Sequence, residues 1–564
     1  MRAIWRAGLA LVLAAAFAAP AGAAVRAIET LSSRPDRVSG GDVLVQIRQT
    51  DDAATPVTLN GQDVTGAFHE SGPHLRAGLV EGLRLGPNLI AAGAVSLTVT
   101  DYPIAGPIAS GPHQAPFVCT TGIFHIYRGL GGMMADSDET FGPSLDADCS
   151  ARTKITYVYL PKGGQTLKPL PSLTSLPGDV AATTTTAGDT VPFVVRVETA
   201  TIDRGIYQSA VLHDPTREPP PTWRTPPKGW NRRLIAVQGA GCPGGWYVQG
   251  TVGGSATRPT MDASILSLRR LGEGYATFGN TLQNASQSCN AVLSGEAASM
   301  GKEHFIKGFG VPLYTVSVGC SGGSYGSAQP ADAEPGLYDG ILIACTFPDP
   351  LAIANAGSDA HLLEHYFDGA GKGAFSEAQQ AAVSGYKGAK AFLDAANQSE
   401  RTDPVPGRAD EPGYKSAVWN EVVPASLRYD PKANPKGARP TIYDAARNVF
   451  GVDPATGFAR RSFDNVGVQY GLAALNAGQI TPAQFLDLNA GVGGYDADAN
   501  YTAARSAGDA GAIRRAYQSG LQLGGGGGLA SIPVFDISGI YNDDGGYHYQ
   551  WYHFALRGRM AKAN

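Results

Sequence analysis

Charge is scarce in this sequence and nearly balanced in sign. Lys and Arg number 44 against 49 Asp and Glu, for a formal net charge of -5. A nucleic-acid binder would need a basic face, so that class is excluded. Beyond the N-terminus no segment runs for about 18 apolar residues without interruption, so no membrane-spanning helix is expected. No CxxC pair occurs and no His pair fits HExxH, which removes the common zinc patterns and leaves no metal site expected. No repeat of fixed period is visible. What remains is a chain of 564 residues, 43% hydrophobic, which is too apolar for disorder and long enough for several domains. Its 73 Gly and 38 Pro announce many turns and loops.

The first 24 residues read as a signal peptide. Arg2 and Arg6 supply a positive start, Leu9 to Phe17 (LALVLAAAF) an apolar stretch too short to span a bilayer, and Ala21-Gly22-Ala23 small residues for cleavage. Secretion or export to a periplasm follows, and with it an oxidising compartment. The six Cys are even in number, which there favours disulfides.

Residues 25–102 alternate apolar and polar over short runs (DVLVQI, PVTLNGQDVT, SLTVTDY) with LNGQ and LGPN as turns, which predicts a small immunoglobulin-like β-sandwich. Residues 103–116 (PIAGPIASGPHQAP) read as a linker. From 117 to 350 long antiparallel strands (KITYVYLP, TVPFVVRVETATIDRGIYQSAVL) give way to a strand–helix rhythm. RLIAVQ, GYATFGN, PLYTVSVG and YDGILIACTF are strands; MDASILSLRRLG, the stretch ending MGKEHFIKGF and SGGSYGSAQPADAEPG are helices. That rhythm predicts a mainly parallel sheet with helices on both faces. Residues 351–528 lose it and read as helices and long loops, an insertion in the position of a lid or substrate domain. SIPVFDISG opens the final segment, 529–564, as one more sheet strand.

Gly319-Cys320-Ser321-Gly322-Gly323 follows the strand YTVSV. This is G-x-S-x-G in the setting its chemistry needs: a serine on a tight turn between strand and helix, with glycines that let backbone pass close. The helix that follows aims its N-terminus at a developing oxyanion. The overlapping Gly322-Gly323-Ser324-Tyr325-Gly326 matches the same pattern, but Ser324 falls inside the helix. After RLIAVQ comes Gly239-Ala240-Gly241-Cys242-Pro243-Gly244-Gly245. It also fits G-x-G-x-x-G, yet Pro243 removes an N–H from any phosphate cradle and no helix opens there, so no nucleotide cofactor is expected.

The segments GWNRRLIAVQGAGCPGG, GYATFGNTLQNAS, VGCSGGSYG and PGLYDGILIA resemble the tannase and feruloyl-esterase branch of the α/β hydrolases. The resemblance covers roughly residues 228 to 350 and more loosely the strand at 531. It implies an α/β-hydrolase core, a large lid inserted late in the sheet, and an exported carboxylic-ester hydrolase that needs no cofactor. Ser321 is then the nucleophile, and backbone N–H groups of Gly322 and of the loop with Ala240 and Gly241 form the oxyanion hole. The branch pairs the Cys before its Ser with a Cys after its His; no His here is followed by Cys, so its His cannot be carried over.

Fold logic must place the acid and base. In the order Ser, acid, His, the acid follows the strand after the lid: Asp543 is the first choice, with Asp544 beside it and Asp349 as alternate. Only His548 and His553 come later, so His548 is expected as base, unless the true partner lies beyond the 25 residues that follow Gly539. Cys320 and Cys345 end successive strands, as Cys242 and Cys289 do, and Cys119 and Cys149 close a local loop; disulfides 119–149, 242–289 and 320–345 are expected. His113, His213, His361 and His365 carry no pattern. Asp496, Asp498 and Asn500 start like a calcium loop, but Tyr501 stands where Gly is needed, so a solvated turn is expected. The expected partner is a small-molecule or polymeric ester: phenolic, aliphatic or polyester. The competing class is a non-catalytic polymer or glycan binder on a degenerate hydrolase fold.

Overall fold

The computed structural model describes residues 24–127, 139–242, 247–250, 264–285, 287–405, 419, 422–539 and 547–564. It divides into two compact units, residues 1–101 and 102–564. The expected signal peptide lies outside the described residues.

The first unit holds two antiparallel sheets. One orders Val25–Thr30, Asp42–Gln49, Leu75–Glu81 and Phe68–Gly72; the other orders Val38–Ser39, Val95–Tyr102, Gly86–Ala92, Val57–Leu59 and Gln62–Asp63. Their inward residues, among them Val43, Val45, Ile47, Ile90 and Val99, form one buried cluster. The period-two alternation in the sequence supplies those residues.

The second unit is built on a nine-stranded sheet. Its strands are β1 (Lys154–Tyr159), β2 (Lys168–Pro169), β3 (Val194–Ile202), β4 (Gly205–Leu212), β5 (Arg233–Val237), β6 (Ala276–Asn280), β7 (Tyr314–Cys320), β8 (Gly340–Ala344) and β9 (Val534–Ile537). The order is β2-β1-β3-β4-β6-β5-β7-β8-β9. The sheet is mixed rather than mainly parallel. From β6 to β9 every neighbour is parallel, while β2, β1, β3, β4 and β6 pair antiparallel. The cause is local: Asp203 and Arg204, at φ 53° and 60°, make a two-residue turn joining β3 directly to β4, so no crossover helix is called for.

Alternation along β5 divides the core. Leu234 and Ala236 join a cluster with Phe305, Ala328 and Leu556. Ile235 and Val237 join another with Phe124, Leu266 and Leu271. Helices α1 (Ala291–Phe309), α2 (Gly322–Ala333) and α3 (Pro350–Asp368) follow β6, β7 and β8, and α4 (Gln550–Ala563) ends the chain. The chain steps from β5 out to β6 and returns past β5 to β7. That reversal makes a switch point, and the carboxyl ends of strands there are where open α/β sheets bind ligands.

One other expectation shifts. The helix read over Met261–Gly272 is confined to Leu268–Gly272, with Ser267 capping it, and residues 261–263 lie outside the described residues. The stretch 103–116, read as a linker, makes defined contacts: Ser110 N and Oγ each donate to Glu296 of α1 at 2.8 Å, and Asn448 donates to Ser110 O. Between β8 and β9 the chain forms α3 and further helices, among them Glu377–Ser384, Ala389–Ala396, Pro482–Gly491 and Ala510–Ser519. A separate apolar cluster underlies this segment and includes Leu351, Phe367, Phe392, Tyr443 and Leu488.

Candidate active site

Ser321 stands between the last residue of β7 and the first of α2 with φ 60° and ψ −119°. A non-glycine residue in that region is strained by about 1–3 kcal/mol and persists only where its surroundings hold it. They do so here. Ser321 N donates to Ala344 O of β8 at 3.0 Å, and its own carbonyl accepts from Ser324 N at 2.9 Å. The flanking glycines are required by space: a Cβ on Gly319 would overlap the carbonyl of Gly323, and one on Gly322 the carbonyl of Gly241. Gly241, in the loop after β5, thus lies against the start of α2, and the Tyr325 hydroxyl donates to its carbonyl. The residues expected to supply oxyanion N–H groups are neighbours, at the carboxyl ends of β5 and β7.

His548 Nε2 lies 2.8 Å from Ser321 Oγ. Tyr547 stacks on the imidazole with centroids 4.5 Å apart, and Phe347 tilts against it at 5.0 Å. Burial, the charge of Arg401 and that of His553 push the His548 pKa down to about 4. The ring is therefore neutral near pH 7 and able to accept a proton. Ser324 is the other case: fully buried, its hydroxyl donates to Ser321 O at 2.6 Å and accepts from Phe347 N at 3.0 Å. It ties the elbow to the segment after β8.

The model of a tannase-like family of unknown function (DUF6351) matches residues 28–564. The chain belongs to that family. No curated protein matches the sequence. Among solved structures it is similar to feruloyl esterase B from Aspergillus oryzae, at 15% identity over 72% of this chain and 75% of that one, with a TM-score of 0.29. It is similar to the tannin acyl hydrolase from Aspergillus niger at 13% identity over 64% of each chain, TM-score 0.23. Lipase A from Candida antarctica follows at 12% identity over 38% of this chain and 43% of that one, TM-score 0.21.

The rest of the site departs from the sequence expectations in places. Asp543 and Asp544 lie outside the described residues. Asp349 is buried and engaged in structure: it caps α3 by accepting from Ala352 N at 2.7 Å, accepts from Gln522 Nε2 and Leu523 N at 3.0 Å, and pairs with Arg559. His553 has both ring nitrogens committed. Nδ1 meets Asp536 Oδ1 at 2.8 Å and Nε2 accepts from Thr346 N at 3.3 Å, so neither faces Ser321. Asp536 is the residue that sequence reasoning passed over. It sits inside β9 and also accepts from Thr346 Oγ1 at 2.7 Å. A lone carboxylate within the apolar run IPVFDI was the available signal.

Disulfides join Cys119 to Cys149 and Cys242 to Cys289. The second lies next to Gly241. Cys320 and Cys345 are not joined: they are thiols in hydrogen-bond contact, and that bond together with burial pushes the Cys320 thiol well up. Parallel pairing puts Cys320 opposite Ala344, so Cys345 lies one residue past the register that faces it. Among the described residues no cluster of His, Cys, Asp or Glu fits a metal ion, and no helix is long and apolar enough to cross a membrane. Asp496 folds back on the N–H groups of Asp498 and Asn500 at 2.8 and 2.9 Å, while Asp498 pairs with Arg439.

Proposed function

We propose that this protein is an exported serine carboxylic-ester hydrolase. The observation that carries the reading is the strained Ser321, on its strand–helix elbow, sharing a 2.8 Å hydrogen bond with a neutral imidazole. Ser321 Oγ attacks the ester carbonyl carbon as His548 Nε2 takes its proton. The N–H of Gly322 and one from Ala240 or Gly241 hold the oxyanion. His548 then gives the proton to the departing alcohol oxygen, and a water activated by the same ring releases the acid. Asp543 is the acid assigned to steady the imidazolium, on chain order. Phenolic, aliphatic and polyester esters are the candidate substrates, with residues 351–528 acting as the lid and the first unit as an immunoglobulin-like accessory domain. Membership of a tannase-like family supports the ester chemistry. A non-catalytic binder has no use for a strained serine bonded to a neutral base.

In the exported protein Cys320 and Cys345 are proposed to close a third disulfide across β7 and β8. The decisive test is covalent labelling by a fluorophosphonate, followed by a 4-nitrophenyl ester chain-length series. The wild type should label at Ser321 and turn over esters, and Ser321→Ala should do neither. An unlabelled but folded wild type would refute the reading.

A further inference from the structure

Arg401 stands close to this site without a role in the steps above. It ends the 3-10 turn Asn397–Arg401, just after the helix Ala389–Ala396 of the insertion. That helix shares an apolar cluster with Tyr325, Phe347, Tyr549 and Tyr552, and the Tyr549 hydroxyl donates to Ala391 O at 2.6 Å. The segment is thereby fastened to the residue that follows His548. The Arg401 side chain is 8% exposed. Nη1 donates to the neutral Gln398 Oε1 at 2.5 Å and lies 3.5 Å from Glu400 Oε1, on a side chain 30% exposed. Nε has no hydrogen-bond partner among the described residues. Its charge is felt by His548, by Tyr325 under the oxyanion loop and by Tyr552.

A cation so placed works against the base. Acylation turns His548 into an imidazolium, and a nearby guanidinium opposes that charge. A buried arginine paired with a carboxylate that is itself partly in water is also costly to keep. Both costs are offset if the ligand brings a negative charge, since a guanidinium matches a carboxylate with two parallel donors. We propose that Arg401 recognises a free carboxylate on the substrate, so that the preferred esters carry a second, unesterified acid group. This rests on the serine-esterase reading and narrows its substrate class.

The test compares monomethyl esters of dicarboxylic acids, from succinic to suberic, with methyl alkanoates of matched length. A second pair places the charge on the alcohol side: the acetyl ester of 6-hydroxyhexanoate against hexyl acetate. All are followed by pH-stat in wild type, Arg401→Gln and Arg401→Lys. In at least one pair the wild type should favour the charged ester in kcat/KM by about tenfold to a hundredfold, the worth of a hydrogen bond to a charged group. Arg401→Gln should cost the charged ester at least tenfold more than its neutral match, and Arg401→Lys should keep part of the preference. A wild type that turns over the neutral esters as fast as the charged ones, or an Arg401→Gln variant that loses the same factor on both, overturns the proposal. If the wild type turns over neither series, the esterase reading fails instead. Calorimetric titration with adipate against hexanoate then still decides: binding that does not favour adipate, or does not depend on Arg401, overturns carboxylate recognition as well.

Discussion

Acid inactivation gives the site its sharpest number. A free imidazole titrates near 6.5, but burial first, then the charge of Arg401 and then that of His553 bring His548 to about 4. At about pH 5 an unshifted histidine would be about 3% neutral, whereas a base of pKa about 4 is about 90% neutral, a difference of about thirtyfold in competent enzyme. The acid limb of kcat/KM for an uncharged ester reports this free-enzyme base. It should fall near pH 4, with most of the neutral-pH activity retained at pH 5. Tyr547→Ala strips the stacked ring from the imidazole and lets water in, so its limb should move up toward 6.5. The stability sign is opposite to that of a paired histidine. Because the folded pKa is depressed, the unfolded chain binds the extra proton between about 6.5 and about 4, and folding weakens as pH falls through that window. The assay is a pH-stat series on ethyl butyrate, with circular dichroism checking that the fold persists at each pH. A limb at or above 6.5 in the folded wild type would refute the burial argument and with it the neutral base.

Ser321→Ala should lower kcat by at least about a thousandfold, while Ser324→Ala keeps most activity and loses about 1–2 kcal/mol in urea denaturation for the bonds to Ser321 O and Phe347 N. Glu198 is nine-tenths buried: burial alone would raise its pKa, but the hydrogen bond from His304, the charge of His304 and that of Arg196 outweigh it and hold it at about 2. Its stabilisation is full above about 4.5 and fades as pH falls toward 2, so Glu198→Gln should cost about 3 kcal/mol at pH 7 and flatten the acid end of the stability profile. Replacing Cys242 and Cys289 by Ser opens a 47-residue loop; it should cost about 4 kcal/mol on loop entropy and lower kcat more than KM is raised, because Gly241 loses its tether. Non-reducing peptide mapping checks all three pairings, and free thiols at Cys320 and Cys345 would remove the third.

Much of this fold could be read from residue order because its signals are local. Alternation in DVLVQI or SLTVTDY dictates which face of a short strand is buried, and buried-type runs such as RLIAVQ can pack only between two covered faces. The antiparallel character of KITYVYLP and the long run after it was legible, but not that these strands join the parallel ones in a single sheet. TVPFVVRVETATIDRGIYQSAVL reads equally as one long strand or two, and the split depends on Asp203 and Arg204 adopting positive φ, which neither residue type announces. The contacts made by the stretch 103–116 were illegible for a related reason. Pro and Gly mark a chain that cannot be helix or strand, but they do not say whether Glu296, nearly two hundred residues later, will bind its N–H groups.

The same division runs through the site. The elbow was legible because its geometry leaves a steric requirement in neighbouring residues: Gly319 and Gly322 have no room for a Cβ, and Ser321 needs both. The base leaves no such mark. His548 and His553 are five residues apart near one chain end, and only the start of α4 between them decides which meets Ser321. His553 lies within the helix and turns to Asp536 and Thr346; His548 precedes it and reaches the elbow. Aiming a base is therefore a tertiary matter, and the pair Asp536–His553 has a definable part in it. It binds the segment after β8, through Thr346, to α4, whose start follows His548 by two residues. Asp536→Asn should then leave the pH limb of His548 near 4 but lower kcat, because the ring is displaced rather than retitrated. His553→Gln, which can still accept from Thr346 N, should recover part of that loss relative to His553→Ala. A limb that moves in Asp536→Asn, with kcat unchanged at its optimum, would mean that Asp536 acts on the charge of His548 and not on its position.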